Sequence, residues 1–139
     1  MNNKDIIYTK QCDEIVSLIK QSRNNVMRLA NAALIDLYWN IGEYLHRKLM
    51  ESEWGDGVVK QLAEYIAKNY PELQGFSDKN LWRMRKFYEV YSDADEKLSP
   101  LVRQIGWTNN LIILSRTKSL EEKEFYLRLC VSERSFASC

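Results

Sequence analysis

The chain has 139 residues, 45% of them hydrophobic, which is enough for one domain with one core. Its 20 Lys and Arg against 19 Asp and Glu exclude a partner recognised through bulk charge alone, so any nucleic-acid surface has to be a local cluster. Five Gly and two Pro supply too little turn material for an all-β fold, whereas Leu, Ala, Lys, Arg and Glu favour helix.

From Gln11 to Met50 there is no proline and one glycine, Gly42. Apolar residues recur at Ile15, Leu18, Ile19, Val26, Leu29, Ala30, Ala33, Leu37, Ile41, Leu45 and Leu49, mostly in steps of three and four. That spacing predicts one long amphipathic helix, or two with a break near Ser22 to Asn25. Two alternatives stay open for its long apolar face. Either the helix outruns the globular body and pairs with another chain, giving a homodimer, or the rest of the domain folds back over it.

Glu51 to Gly57 reads as the stop, with Gly55 and Gly57 supplying positive φ and Asp56 capping the next helix. That helix is short, from Val58 to about Asn69, and leads to a turn bracketed by Pro71 and Gly75. Ser77 is the expected N-cap of a helix that runs to about Tyr91, with Asp78 at the positive end of its dipole. Ser92 to Pro100 is polar and acidic and reads as a loop with turn chemistry at Asp93 and Asp95. Val102 and Ile105 could support a short strand within Leu98 to Trp107, as a winged-helix variant requires. Two further helices are expected, Trp107 to about Arg116 and, capped by Ser119, Leu120 to about Cys130. The fold class is therefore all-α: a long N-terminal helix plus a helix-turn-helix-like bundle.

The helix after Ser77 carries the informative pattern. At about 100° per residue, Leu81, Met84, Tyr88 and Tyr91 fall on one side, which is expected to be buried. Lys79, Arg83 and Lys86 fall on the opposite side, flanked by Trp82 and Val90. Lys and Arg neutralise phosphates and release counterions. Asn80, at the helix start, is placed to probe a groove and can bond a base edge in bidentate fashion. Trp82 can pack on sugar or stack on an unpaired base. The candidate nucleic-acid-binding residues are thus Lys79, Asn80, Trp82, Arg83 and Lys86, with duplex DNA as partner. Arg85 is assigned instead to a helix-surface pair with Glu89. A charged face turned to water is the ordinary alternative, and it leads to a protein-interaction or oligomerisation module built on the long helix.

The run Tyr38-Trp39-Asn40-Ile41-Gly42, then Trp54-Gly55, Val58-Val59 and Leu62, resembles the N-terminal domain of the YhcG-like family. Gly75-Phe76-Ser77, Asn80-Leu81, Met84 to Tyr88, Ile105 to Thr108 and Glu124-Phe125-Tyr126 continue the likeness in order, over roughly Ile15 to Val131. The resemblance implies a helix-turn-helix-like or winged-helix-like DNA-binding module joined, in full-length members, to a C-terminal domain resembling PD-(D/E)xK nucleases. Asn109 departs from the histidine of many members. On this likeness residues 1–131 form the module, and 132–139 are a truncated tail leading toward an absent nuclease domain.

No catalytic residue, metal ligand or cofactor site is expected. A nuclease of that type needs carboxylates and a lysine on adjoining strands to hold a metal beside the phosphate. Glu121-Glu122-Lys123 opens a helix and Asp95-Glu96-Lys97 sits in a polar loop. His46, the one histidine, reads as surface or partly packed. Cys12, Cys130 and Cys139 are too few and too far apart for a disulfide framework or a zinc site, and read as reduced thiols. The polar start, Met1 to Asp5, is no export leader, and no window approaches the ~18 apolar residues of a membrane span, so a cytoplasmic location is expected.

Overall fold

The computed structural model describes residues 2–94 and 96–133, and they form six helices with no strand among them. Helix α1, Asn3–Met50, is continuous. It begins earlier than its apolar pattern suggests, because the Asn2 side chain accepts from the Asp5 N–H (2.9 Å) and Asp5 lies in the positive first turn. No break occurs near Ser22.

The stop of α1 differs from expectation. Positive φ falls on Ser52 (60°), not on Gly55 or Gly57. The Glu53 N–H reaches Lys48 O (3.1 Å) and the Ser52 N–H reaches Leu49 O (3.3 Å), the paired bonds of a Schellman motif with serine where glycine is usual. Lys48 Nζ to Glu53 Oε2 (2.7 Å) straps the turn. Gly55, in extended backbone, is the N-cap of α2, Asp56–Asn69, and Asp56 is already helical.

Gly75 (φ 95°) turns the connection 70–77 into α3, Asp78–Ser92. Ser77 is its N-cap as expected, its Oγ accepting from the Asn80 N–H (3.2 Å). The acidic stretch after α3 is not all loop. Leu98–Arg103 forms α4, with Pro100 in its first turn, where a missing N–H breaks no helical bond. Leu98, Leu101 and Val102 bury one side of that turn, so helix replaces the strand considered for residues 98–107. Helices α5, Trp107–Arg116, and α6, Leu120–Glu133, complete the chain, the Ser119 Oγ accepting from the Glu122 N–H (3.1 Å). Of the expected acidic turn and tail, Asp95 and residues 134–139 lie outside the described residues.

Helix α3 lies along the second half of α1 and shares its interior with two clusters. One joins Tyr38, Leu45, Val59, Leu81 and Met84. The other joins Ile35, Phe87 and Tyr91 to α4, α5 and α6 through Leu101, Ile105, Ile113 and Leu127. Each fully buried apolar side chain of this size contributes roughly 1.5–3 kcal/mol. Phe87, and not Tyr88, completes the buried line of α3, because α3 is covered on two sides. Phe87 meets Trp39 and Trp107, while Tyr88 stays half-buried between Trp39 and His46. The crossing is close because α1 has no side chain at Gly42, where a Cβ would overlap the Met84 carbonyl.

The first half of α1 has no such cover: every residue from Asn2 to Ala30 is exposed. The grip begins at Asn31, whose Nδ2 donates to Ile105 O (2.8 Å) and Arg103 O (3.0 Å), and at Asp36, paired with Arg103 (2.7 Å). The domain covers only the C-terminal end of the expected apolar stripe, where Ile41 and Leu49 pack half-buried beside Leu45. Of that stripe only Leu45 is buried, and the side of α1 that meets the body is Ile35, Tyr38, Gly42 and Leu45.

Candidate nucleic-acid interface

Lys79, Arg83 and Lys86 project from α3 into solvent on the side away from Leu81 and Met84. None of the three has an ion-pair partner among the described residues. Their spacing puts them on consecutive turns of one face, and the helix that carries them is fixed by burial of Leu81, Met84, Phe87 and Tyr91. The result is a rigid row of three free cations.

Trp82 is half-buried beside the Tyr38–Leu45–Val59 cluster, and the Arg85 guanidinium lies over its ring, 5.6 Å from the centroid. Arg85 also meets Glu89 (3.4 Å), the i,i+4 pair expected from sequence. His46 Nδ1 approaches the same Glu89 oxygen (3.6 Å), so α1 and α3 meet in a small polar cluster at their seam. This cluster is separate from the exposed row.

Asn80 differs from the other candidates. Its Nδ2 donates to Gly75 O and its Oδ1 accepts from the Trp107 indole N–H (3.0 Å). Both ends of the amide therefore hold the connection 70–77 and α5 to the start of α3. Trp107 in turn packs on Tyr38 (4.7 Å) and Phe87 (5.3 Å). The sequence marks Trp107 as a helix start and a family landmark, but not as the residue that joins the two clusters.

Two buried polar residues were missed as well. Asn110 Nδ2 donates to Val102 O (2.9 Å), and Lys123 Nζ donates to Thr117 O (3.1 Å) at the end of α5. The sequence signal for Asn110 was its place on the Trp107–Ile113 line, a polar residue at core spacing. Glu121 and Glu122 are exposed in the first turn of α6, and Lys123 points back to α5. Among the described residues no group of three or more His, Cys, Asp or Glu could hold a metal ion, and no helix is long and apolar enough to cross a membrane. Cys12 is exposed and Cys130 half-buried, both as free thiols. A groove of about 560 Å³ between α1, α2 and the 70–77 connection is walled by Tyr44, Trp54, Leu62, Phe76 and similar groups, with no carboxylate, amine, imidazole or thiol.

An all-helical module with a solvent-facing basic helix is the class these features define. The chain belongs to the DUF1016 N-terminal domain family, whose model matches residues 14–137. It is 30% identical over 108 residues to the Escherichia coli (strain K12) protein named "Putative nuclease YhcG". The match takes in 68% of this chain and 27% of that relative, so the chain spans about a quarter of the curated protein it resembles. No solved structure matches the chain.

Proposed function

We propose that this chain is the DNA-docking module of a nuclease-associated protein, non-catalytic by itself, and that α3 is laid against the phosphates of a duplex. The observation that supports this most directly is the row Lys79, Arg83 and Lys86, exposed and without ion pairs among the described residues, on a helix anchored by its buried side. Cations so placed make contacts to the DNA backbone that fix position more than sequence. Trp82 lies at the edge of the row, where its ring can meet sugar. Asn80 sets the start of α3 through Gly75 and Trp107, and a base contact would cost it those bonds. Helices α2 and α3 act as the helix-turn-helix-like pair, with a longer connection than the tight three-to-four-residue turn. In this reading strand cleavage belongs to a nuclease-like domain that the module positions, and the protein works in the cytoplasm.

The test is duplex binding at several salt concentrations. Replacing Lys79, Arg83 and Lys86 together by Ala is expected to weaken binding and to flatten the log–log salt dependence by roughly one unit per lost contact. Arg85→Ala, which removes a cation already engaged by Glu89, is expected to matter less than Arg83→Ala. A triple variant that binds like the parent at low salt would show the row to be ordinary solvated surface.

A second reading, association through α1, is favoured by the full exposure of residues 2–30. It is compatible with the first.

A further inference from the structure

The chain has a single histidine, His46, and it lies in the seam where α1 meets α3. Imidazole is the side chain that changes charge between about pH 5 and 8, so a proton-linked change of this chain in that range points first to His46. Its Nδ1 is buried and has no hydrogen-bond partner, while 28% of the side chain is open to solvent and to protons. From α3 it faces Glu89, Arg85 and the Tyr88 ring, 5.5 Å away between centroids. On its own helix the nearby charges are Glu43, one turn earlier, and Arg47, both exposed.

Glu89 is contested. Its Oε1 lies 3.6 Å from His46 Nδ1 and 3.4 Å from Arg85 Nη2. Both distances exceed the roughly 2.7–3.2 Å of a well-formed N–H···O bond. Arg85 Nε is buried without a partner as well, so one carboxylate oxygen stands between two nitrogens and satisfies neither. The protonation state of the imidazole breaks this tie. Neutral imidazole carries one N–H and can leave Nδ1 bare. Imidazolium carries an N–H at both nitrogens, and a buried N–H has to find an acceptor. Glu89 Oε1 is the acceptor that approaches Nδ1, and the bond it then accepts is charge-assisted and ties α1 to α3.

Arg85 loses its counter-charge in that exchange and gains a like charge beside it. Its guanidinium already lies over the Trp82 ring, 5.6 Å from the centroid. At about 100° per residue Trp82 stands between Arg85 and the row Lys79, Arg83 and Lys86 around the helix. A guanidinium released from Glu89 can therefore swing across that ring toward the row. We propose that His46 is a proton-operated latch: proton uptake transfers Glu89 from Arg85 to His46, fastens α1 to α3, and turns Arg85 toward the basic face of α3. The transfer stands on the seam alone, and its effect on affinity rests on the DNA-docking reading.

An NMR titration of the full chain between about pH 5.5 and 8 reads the transfer directly. The His46 ring protons, the Arg85 Nε–H and the Trp82 indole signals are expected to move along one curve. Glu89→Gln should leave a His46 curve that Trp82 no longer follows. Trp82 and Arg85 signals that stay still while His46 titrates would overturn the latch. Duplex binding at about 0.1 M salt is expected to tighten up to about eightfold from about pH 7.8 to 5.8, the worth of one phosphate contact. His46→Gln and Arg85→Ala should each lose that gain, and neither residue belongs to the core clusters, so both variants are expected to fold. A gain that survives in Arg85→Ala would show the imidazolium acting without Arg85 and would overturn the transfer. Absence of duplex binding at either pH would overturn the DNA-docking reading, with the latch then decided by the NMR signals.

Discussion

Residues 2–30 and 31–50 belong to one continuous helix, yet every residue of the first span is exposed, while the second supplies Ile35, Tyr38, Gly42 and Leu45 to the interior. The first span has one aromatic residue, Tyr8, and a polar run at 20–25, whereas the second carries Tyr38, Trp39 and Tyr44 around Gly42. The aromatic-rich sequence marks the surface that fits several short helices meeting at different angles. Local helix propensity does not distinguish the two spans, because a helix needs only its own backbone bonds to continue past the body.

Gly42→Ala should break the contrast most. The new Cβ would overlap the Met84 carbonyl, a backbone atom that can move only by separating α1 from α3. A loss of about 3 kcal/mol or more is expected in urea unfolding, at the upper end of overpacking effects. Asn24→Ala, about five turns earlier on the same line of the helix, meets solvent on all sides. It should change stability by less than about 0.5 kcal/mol, with a slight gain from helix propensity. Equal effects at the two positions would mean that the free span is held as firmly as the anchored one.

Asn80→Ala should come next. It leaves the Trp107 indole N–H and the Gly75 carbonyl without their partner, at a cost of about 1–3 kcal/mol. Because the Trp107 ring lies against Tyr38 and Phe87, its fluorescence should shift in the folded state. An Asn80 that bonds only water would give neither change. DNA affinity measured on the same variant separates this positioning role from direct base contact.

Tyr91→Phe should have the smallest effect, with a size that depends on pH. The Tyr91 hydroxyl is buried with no hydrogen-bond partner, and burial pushes its pKa up to about 12. At neutral pH its removal should be neutral or stabilising by up to about 1 kcal/mol. A phenol whose folded pKa is raised holds its proton more tightly in the folded state. Its contribution is therefore complete below about pH 10 and is lost as pH rises from there toward 12. The stability difference between parent and Tyr91→Phe should widen in favour of the phenylalanine over that window. Parallel curves from pH 7 to 12 would place Tyr91 in contact with water, outside the anchored region.

Composition, periodicity and capping chemistry determined the all-helical class, the helical character of residues 11–50, the Ser77 and Ser119 caps and the exposed row Lys79, Arg83 and Lys86. Each of these depends on residues within a few turns of one another, so the sequence carries the whole physical cause. Tertiary structure decided the rest. Phe87 displaced Tyr88 from the core because neighbours on two sides, not one, define what is inside. Leu98 to Arg103 became helix in an acidic stretch because Leu98, Leu101 and Val102 found a hydrophobic cluster built from distant segments. Asn80, which has the chemistry of a base reader, received its partners from Gly75 and from Trp107, a contact that no local pattern encodes. The apolar stripe of α1 was legible as a stripe, but only the packing of the other helices showed that its end, from Ile41 to Leu49, is covered while its part before Asn31 is exposed.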